Sequence, residues 1–124
     1  SLGNFSGGTN GLTQLGDGTL SINQSATGAY AGTISGIGGL VKEGTSTLVL
    51  SGPNTYMGNT TIAQGILSLS GPLASIASSS AIEVDGTLDL STAGSAAMIN
   101  NLSGIGAHGS ILLGPYALTI NQST

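Results

Sequence analysis

The feature that most constrains this chain is an alternation of apolar residues at every second position, in runs of only a few residues. "TLSI" carries Leu20 and Ile22, "TLVL" carries Leu48 and Leu50, and "ILSL" carries Leu67 and Leu69. The same alternation returns in "AIEV" (Ile82, Val84), "TLDL" (Leu88, Leu90) and "ALTI" (Leu118, Ile120). A period of two puts the apolar set on one face of a strand and turns the intervening Ser, Thr, Glu83 and Asp89 to water. No stretch sustains a 3.6-residue period, and glycine interrupts every candidate helix. The pattern predicts an all-β fold.

The runs are separated by glycine-rich corners: "GDG" at 16–18, "GIGG" at 36–39, "SGPN" at 51–54, "VDG" at 84–86 and "GIGAHG" at 104–109. Glycine supplies positive φ at such places, and Asn and Asp tolerate it. Gly44, Gly52, Gly65 and Gly86 are the expected corner residues. With 22 glycines the chain could be suspected of disorder. Disordered chains are poor in Ile, Leu and Val, whereas here these recur at regular intervals.

The chain also repeats itself. "LGDGTLSINQS" (Leu15–Ser25) echoes "LGPYALTINQS" (Leu113–Ser123), 98 residues later, and "ISGIGG" (Ile34–Gly39) echoes "LSGIGA" (Leu102–Ala107). Strand runs opened by glycine recur every 20 to 28 residues. A spacing near 20 suits one turn of a β-solenoid, and 98 residues then equal about five turns. A sandwich of this length would place several aromatics in its core. Here there are four in all: Phe5, Tyr30, Tyr56 and Tyr116. Stacked aliphatics and hydroxyl ladders suit a narrow parallel core better. The reading is one β-solenoid domain over 1–124, of about five to six coils. Its inner stack would hold Leu20, Ile22, Leu48, Leu50, Ile62, Leu67, Leu69, Ile82, Val84, Leu88, Leu90, Leu118 and Ile120.

Charge narrows the partners. Lys42 is the single cation against five acids, for a net charge of −4. Without a basic patch, nucleic acid, phosphate and anionic lipid have no electrostatic foothold. No run approaches the ~18 apolar residues of a membrane helix, so no membrane insertion by this segment is expected. There is no Cys, which excludes disulfides and thiol chemistry. "SLGNFSGG" has neither the basic start nor the apolar stretch of a signal peptide. A surface of Ser, Thr, Asn and Gln with 5% charged residues repels its own copies weakly, which favours self-association.

One segment resembles a known family. "GGLVKEGTSTLVLSGPNTYMGNTTIAQGILSLSG" (Gly38–Gly71) is similar to the passenger-associated repeat of bacterial autotransporters. The family pattern runs roughly G-G-L-x-K-x-G-x-G-T-L-x-L-S-G-x-N-T-Y-x-G-x-T-x-I-x-x-G-x-L-x-L. Lys42, Gly44, Leu48, Leu50, Gly52, Asn54, Tyr56, Gly58, Thr60, Ile62, Gly65, Leu67 and Leu69 all match, and Ser46 departs where the family prefers Gly. The resemblance implies a right-handed parallel β-helix, located extracellularly or on the bacterial outer cell surface. There the repeat is a stem that aids secretion and folding rather than an active site.

Candidate chemical sites are few. His108 is the chain's one histidine, set in a glycine corner with no G-x-S-x-G elbow to serve. "GIGAHG" matches G-x-G-x-x-G formally but opens no helix, so it reads as a β-arc. Glu83, Asp85 and Asp89 lie close in sequence. A glycosidase needs two carboxylates facing one cleft, whereas Asp85-Gly86 reads as a corner and Asp89 as a solvated strand position. No catalytic residue, metal or cofactor is assigned. Sequons begin at Asn4, Asn23, Asn59, Asn101 and Asn121, as chance allows in so Asn-, Ser- and Thr-rich a chain. Tyr56 and Tyr116 could be mistaken for sugar platforms, but Tyr56 belongs to the repeat and reads as a corner residue.

Three functions follow in order. The first is a non-enzymatic extracellular stem or adhesive scaffold, with host or cell-surface ligands. The second is a fibre subunit stacked head-to-tail on itself, because neither end carries an obvious cap and "LSINQS" and "LTINQS" could continue one another in register. The third, a carbohydrate-active β-helix enzyme, lacks the clustered acids and cationic helper such chemistry uses.

Overall fold

Each alternating run becomes a strand that pairs with the strand one coil later. In the computed structural model residues 7, 11–71, 74–94, 97–103, 109–115 and 117–122 are described. Among them every element is a strand: β1 (Leu12–Gln14), β2 (Leu20–Asn23), β3 (Gly28–Tyr30), β4 (Thr33–Ser35), β5 (Leu40–Glu43), β6 (Thr47–Leu50), β7 (Thr60–Ile62), β8 (Ile66–Ser70), β9 (Ile82–Val84), β10 (Thr87–Thr92), β11 (Ala97–Asn100), β12 (Leu102–Ser103), β13 (Ser110–Leu112) and β14 (Leu118–Asn121). The first face is the five-stranded sheet β2-β5-β7-β9-β12, and the second is β3-β6-β8-β10-β13. All pairing is parallel. Five strands per face make a β-solenoid of about five coils.

Register fixes the columns. On the first face Leu20, Leu40, Thr60, Ile82 and Leu102 stand above one another. Beside them stand Ile22, Lys42, Ile62 and Val84. On the second face Leu48, Leu67, Leu88 and Ile111 form a third column. Of these, Ile22, Leu40, Leu48, Ile62, Leu67, Ile82, Val84 and Leu88 are fully or almost fully buried. Leu50, Leu69 and Leu90 join them in the core, while Leu20 and Leu118 are half-buried against it. Each such side chain withdrawn from water contributes about 1.5–3 kcal/mol.

The third face is interrupted. β1 pairs with β4 and β11 with β14, but between them, among the described residues, Pro53 and Ser75 form a single bridge. The Asn54 side chain fills the gap: its Oδ1 accepts from the Ile34 N–H at 2.9 Å.

The corners are glycine columns of two kinds. Gly44 and Gly65 sit at φ 81° and 70°, as a left-handed corner requires. Gly52 and Gly86 are needed for another reason, closeness of coils. A Cβ on Gly52 would land on the Gly32 carbonyl, and one on Gly86 would stand 2.6 Å from the Gly65 oxygen.

Three expectations change. Ile120 is 43% exposed rather than inside the stack. It lies over Ile99 in the last described coil, with no described residue above it. The echo between "LSINQS" and "LTINQS" does not mark equivalent positions. Leu20–Asn23 lies on the first face and Leu118–Asn121 on the third. Successive first-face strands are offset by 20, 20, 22 and 20 residues, so the fifth-coil partner in Leu20's column is Leu102, and 98 residues is not a whole number of coils. Continuation of one copy by another therefore gains nothing from that echo. Finally, hydroxyls do not all face water: Thr60, Ser68 and Ser79 are buried.

Candidate functional site

The two polar intrusions into the aliphatic columns both belong to the 38–71 segment. Lys42 is the first. In "LVKE" its alternation with Leu40 turns it inward, and it is 0% exposed between Ile22 and Ile62. Its stem packs as an aliphatic residue would. Its Nζ donates to the carbonyls of Glu43 at 2.7 Å, Gly44 at 2.9 Å and Gln64 at 3.2 Å. The three donors of the ammonium are thus matched by three main-chain oxygens. Two come from its own corner and one from the next coil. A Cβ on Gly65 would sit 2.8 Å from Nζ, so the glycine there leaves the ammonium its space. Burial holds the Lys42 pKa below its ordinary value.

The second intrusion is Thr60, flanked by Tyr56 and Ser79. Tyr56 fills the core at the broken third face and is 1% exposed. Its hydroxyl lies 2.7 Å from Thr60 Oγ1, which lies 2.8 Å from Ser79 Oγ. Ser79 Oγ donates to the Gly58 carbonyl at 2.7 Å and leans on that of Ala81 at 3.1 Å. Carbonyls only accept, so the proton order is fixed: Tyr56 donates to Thr60, Thr60 to Ser79, and Ser79 to the main chain. Burial pushes the Tyr56 phenol well above its ordinary pKa, against a smaller lowering by its bond to Thr60. One coil on, Asn100 Nδ2 donates to the carbonyls of Ala77 and Ser79, both at 2.8 Å. Among the described residues no buried side-chain nitrogen or oxygen lacks a partner.

The sequence-flagged acids lie outside this interior. Glu83 is exposed on β9, in register with Thr61 and Ser103. Asp85 is exposed at the next corner and lines a groove of about 540 Å³ with Thr45, Gln64, Ile66 and Thr87, which Glu83 does not reach. Asp89 is half-buried rather than freely solvated. The irregularity in β10 after Asp89 brings Ser91 back onto its carboxylate, with Ser91 N–H and Oγ donating at 2.9 and 2.6 Å. Three or more acids or histidines placed to hold a metal do not occur among the described residues. His108, Tyr116 and Asn4 lie outside the described residues. Asn23, Asn59 and Asn121 are exposed, and Asn101 is half-buried with φ 45°. Tyr56 is a core residue and offers no surface platform.

The interior roles of Lys42, Thr60 and Ser79 were missed by sequence reasoning. The signal for the first two was phase: Lys42 follows Leu40 by two, and Thr60 precedes Ile62 by two, so each shares its neighbour's face.

Comparison with known proteins bears on the same residues. Residues 40–69 match the passenger-associated-transport-repeat. An adhesin, the BmaC autotransporter of Brucella suis, is 35% identical over 119 residues, covering 88% of this chain and 3% of the relative. Two extracellular serine proteases of Serratia marcescens are 48% and 43% identical over 60 residues, 48% of this chain and 6% of each relative. The chain therefore spans only a small fraction of the relatives it matches. No solved structure gives a significant match.

Proposed function

We propose, from the premise that the chain is an extracellular β-helical passenger region built around an autotransporter passenger repeat at residues 40–69, that its work is mechanical and non-enzymatic. It is a stem that spans distance and holds other parts of a surface protein away from the cell. Parallel coils advance about 4.8 Å each, so five give a rod of about 24 Å per chain.

One observation carries this reading: both polar intrusions are spent on tying coils together. Lys42 reaches Gln64, 22 residues on, and Thr60 reaches Ser79, 19 residues on. Lys42 and the hydroxyls of Tyr56, Thr60 and Ser79 face the interior, each already partnered. The test is display of the chain between an outer-membrane anchor and an epitope tag. Wild type should present the tag to antibody and resist added protease, while Leu48→Ala should lower both. Equal display and protection by the two chains would refute a folded-stem role.

An adhesive role is the second reading. It is favoured by the groove at Thr45, Gln64, Asp85 and Thr87 on the outer corner and by the relative named an adhesin. Beads coated with the chain should then bind host cells, and Asp85→Asn with Gln64→Ala should weaken binding without changing the fold. Unchanged binding by that pair would remove the groove from the account.

A further inference from the structure

The Lys42 corner has the form of a ligand site whose ligand is covalently attached. Consecutive carbonyls of a strand point in opposite directions. Those of Glu43 and Gly44 converge on one point because Gly44, at φ 81°, reverses the chain between them. The Gln64 carbonyl closes the third side from the next coil, where Gly65, at φ 70°, repeats the same corner. Neither corner tolerates a Cβ: on Gly44 it would stand 2.6 Å from the Gln24 nitrogen, and on Gly65 2.6 Å from the Ser46 oxygen. The backbone path at these two glycine corners is therefore what aims the oxygens at one point. Main-chain dipoles aimed at one point without a countercharge favour a cation with three N–H donors.

We infer that this corner is a preformed primary-ammonium site, which the chain fills with its own Lys42 and which a chain lacking that side chain would fill with a free alkylammonium ion. The atoms lost in Lys42→Ala beyond Cβ are those of n-propylammonium. The apolar channel for its three carbons runs between Ile22 and Ile62. Because one oxygen belongs to the following coil, occupancy locks coil to coil and is readable as stability of the whole solenoid. Ligand binding to the folded state alone raises the unfolding midpoint with concentration.

The experiment is thermal unfolding of the full chain carrying Lys42→Ala, titrated with n-propylammonium chloride. Sodium chloride, n-propanol and tetramethylammonium serve as controls. The expected result is a saturable rise in midpoint with n-propylammonium alone, absent from wild type. A matching response to n-propanol would reduce the site to an apolar hole, and no response would show that the oxygens do not persist without Lys42; either overturns the inference. If Lys42→Ala does not fold by itself, refolding from urea is done with and without n-propylammonium. Recovery of the strand signal with the cation supports the site, and no recovery overturns it. Lys42→Met gives an independent check, since it restores the stem without the charge. Its midpoint should fall below wild type and ignore n-propylammonium, and a midpoint equal to wild type would overturn the inference.

Discussion

Replacing Thr60 by Val tests the buried hydroxyl chain with little change of shape. Valine keeps the branched outline and exchanges Oγ1 for a methyl. Tyr56, 1% exposed, then has a hydroxyl proton with no acceptor. An orphaned buried donor costs about 1–3 kcal/mol, and the lost Thr60 to Ser79 bond about 1 more. Burial of the extra methyl returns about 0.8 kcal/mol. The net destabilisation is about 2 kcal/mol. Tyr56→Phe should cost only about 1 kcal/mol, because Thr60 still donates to Ser79. In the double variant no donor is orphaned, since Ser79 retains its carbonyl acceptors. Its cost should be about 1 kcal/mol and not the roughly 3 kcal/mol of simple addition. Urea unfolding followed by circular dichroism measures all four corners of the cycle. Additive costs, or a Thr60→Val effect within about 0.5 kcal/mol of zero, would refute the directional chain.

Further outcomes follow from the same geometry. Trypsin should leave the native chain intact, because Lys42, its single lysine in a chain without arginine, is wholly buried; in urea one cut should yield fragments 1–42 and 43–124, which mass spectrometry would identify. Gly52→Ala should destabilise by about 3 kcal/mol, the upper end of the overpacking range, because its Cβ meets main-chain oxygens of the neighbouring coil that cannot swing aside. Gly71→Ala, at φ 94° with nothing within 4 Å, should cost only the backbone strain of about 1–2 kcal/mol. In alkali, folded Tyr56 keeps a proton that the unfolded chain loses above pH 10, so stability should fall by up to about 1.4 kcal/mol per pH unit there, a slope that Tyr56→Phe removes. Lys42 acts oppositely: the folded chain sheds its proton before the unfolded one does at 10.5, so stability gains as pH rises just below that value, and Lys42→Met removes the gain.

The fold was legible because its signal is local. "TLVL" and "TLDL" each state strand, facing and corner within a few residues, and the structure turns Leu48, Leu50, Leu88 and Leu90 inward. Coil phase was not legible from the end-to-end echo. The corner between first and second faces shrinks from four residues after Asn23 to two after Val84, so residue counting drifts while hydrogen bonding does not. The polar interior was hidden for a different reason. A period of two assigns a face but cannot say which polar residue on that face has partners. Lys42 finds them in Gly44 and in Gln64, one coil away; Thr60 finds one in Tyr56, four residues back, and another in Ser79, one coil on. Only the stacked structure brings those residues together.

The same polar residues solve a problem that the leucine columns create. Leu48, Leu67 and Leu88 are nearly interchangeable, so an aliphatic stack slipped by one whole coil would bury almost the same area. Uniform stacks specify register weakly for that reason. Lys42 and Thr60 break the degeneracy. In a slipped stack Lys42 would lose the Gln64 oxygen, and Thr60 would lose the Ser79 hydroxyl. Each buried group left without its partner costs about 1–3 kcal/mol, more where it is charged. The two penalties fall in adjacent coils and disfavour the same slip, so they reinforce one another. Further apolar burial in uniform columns would not supply that discrimination.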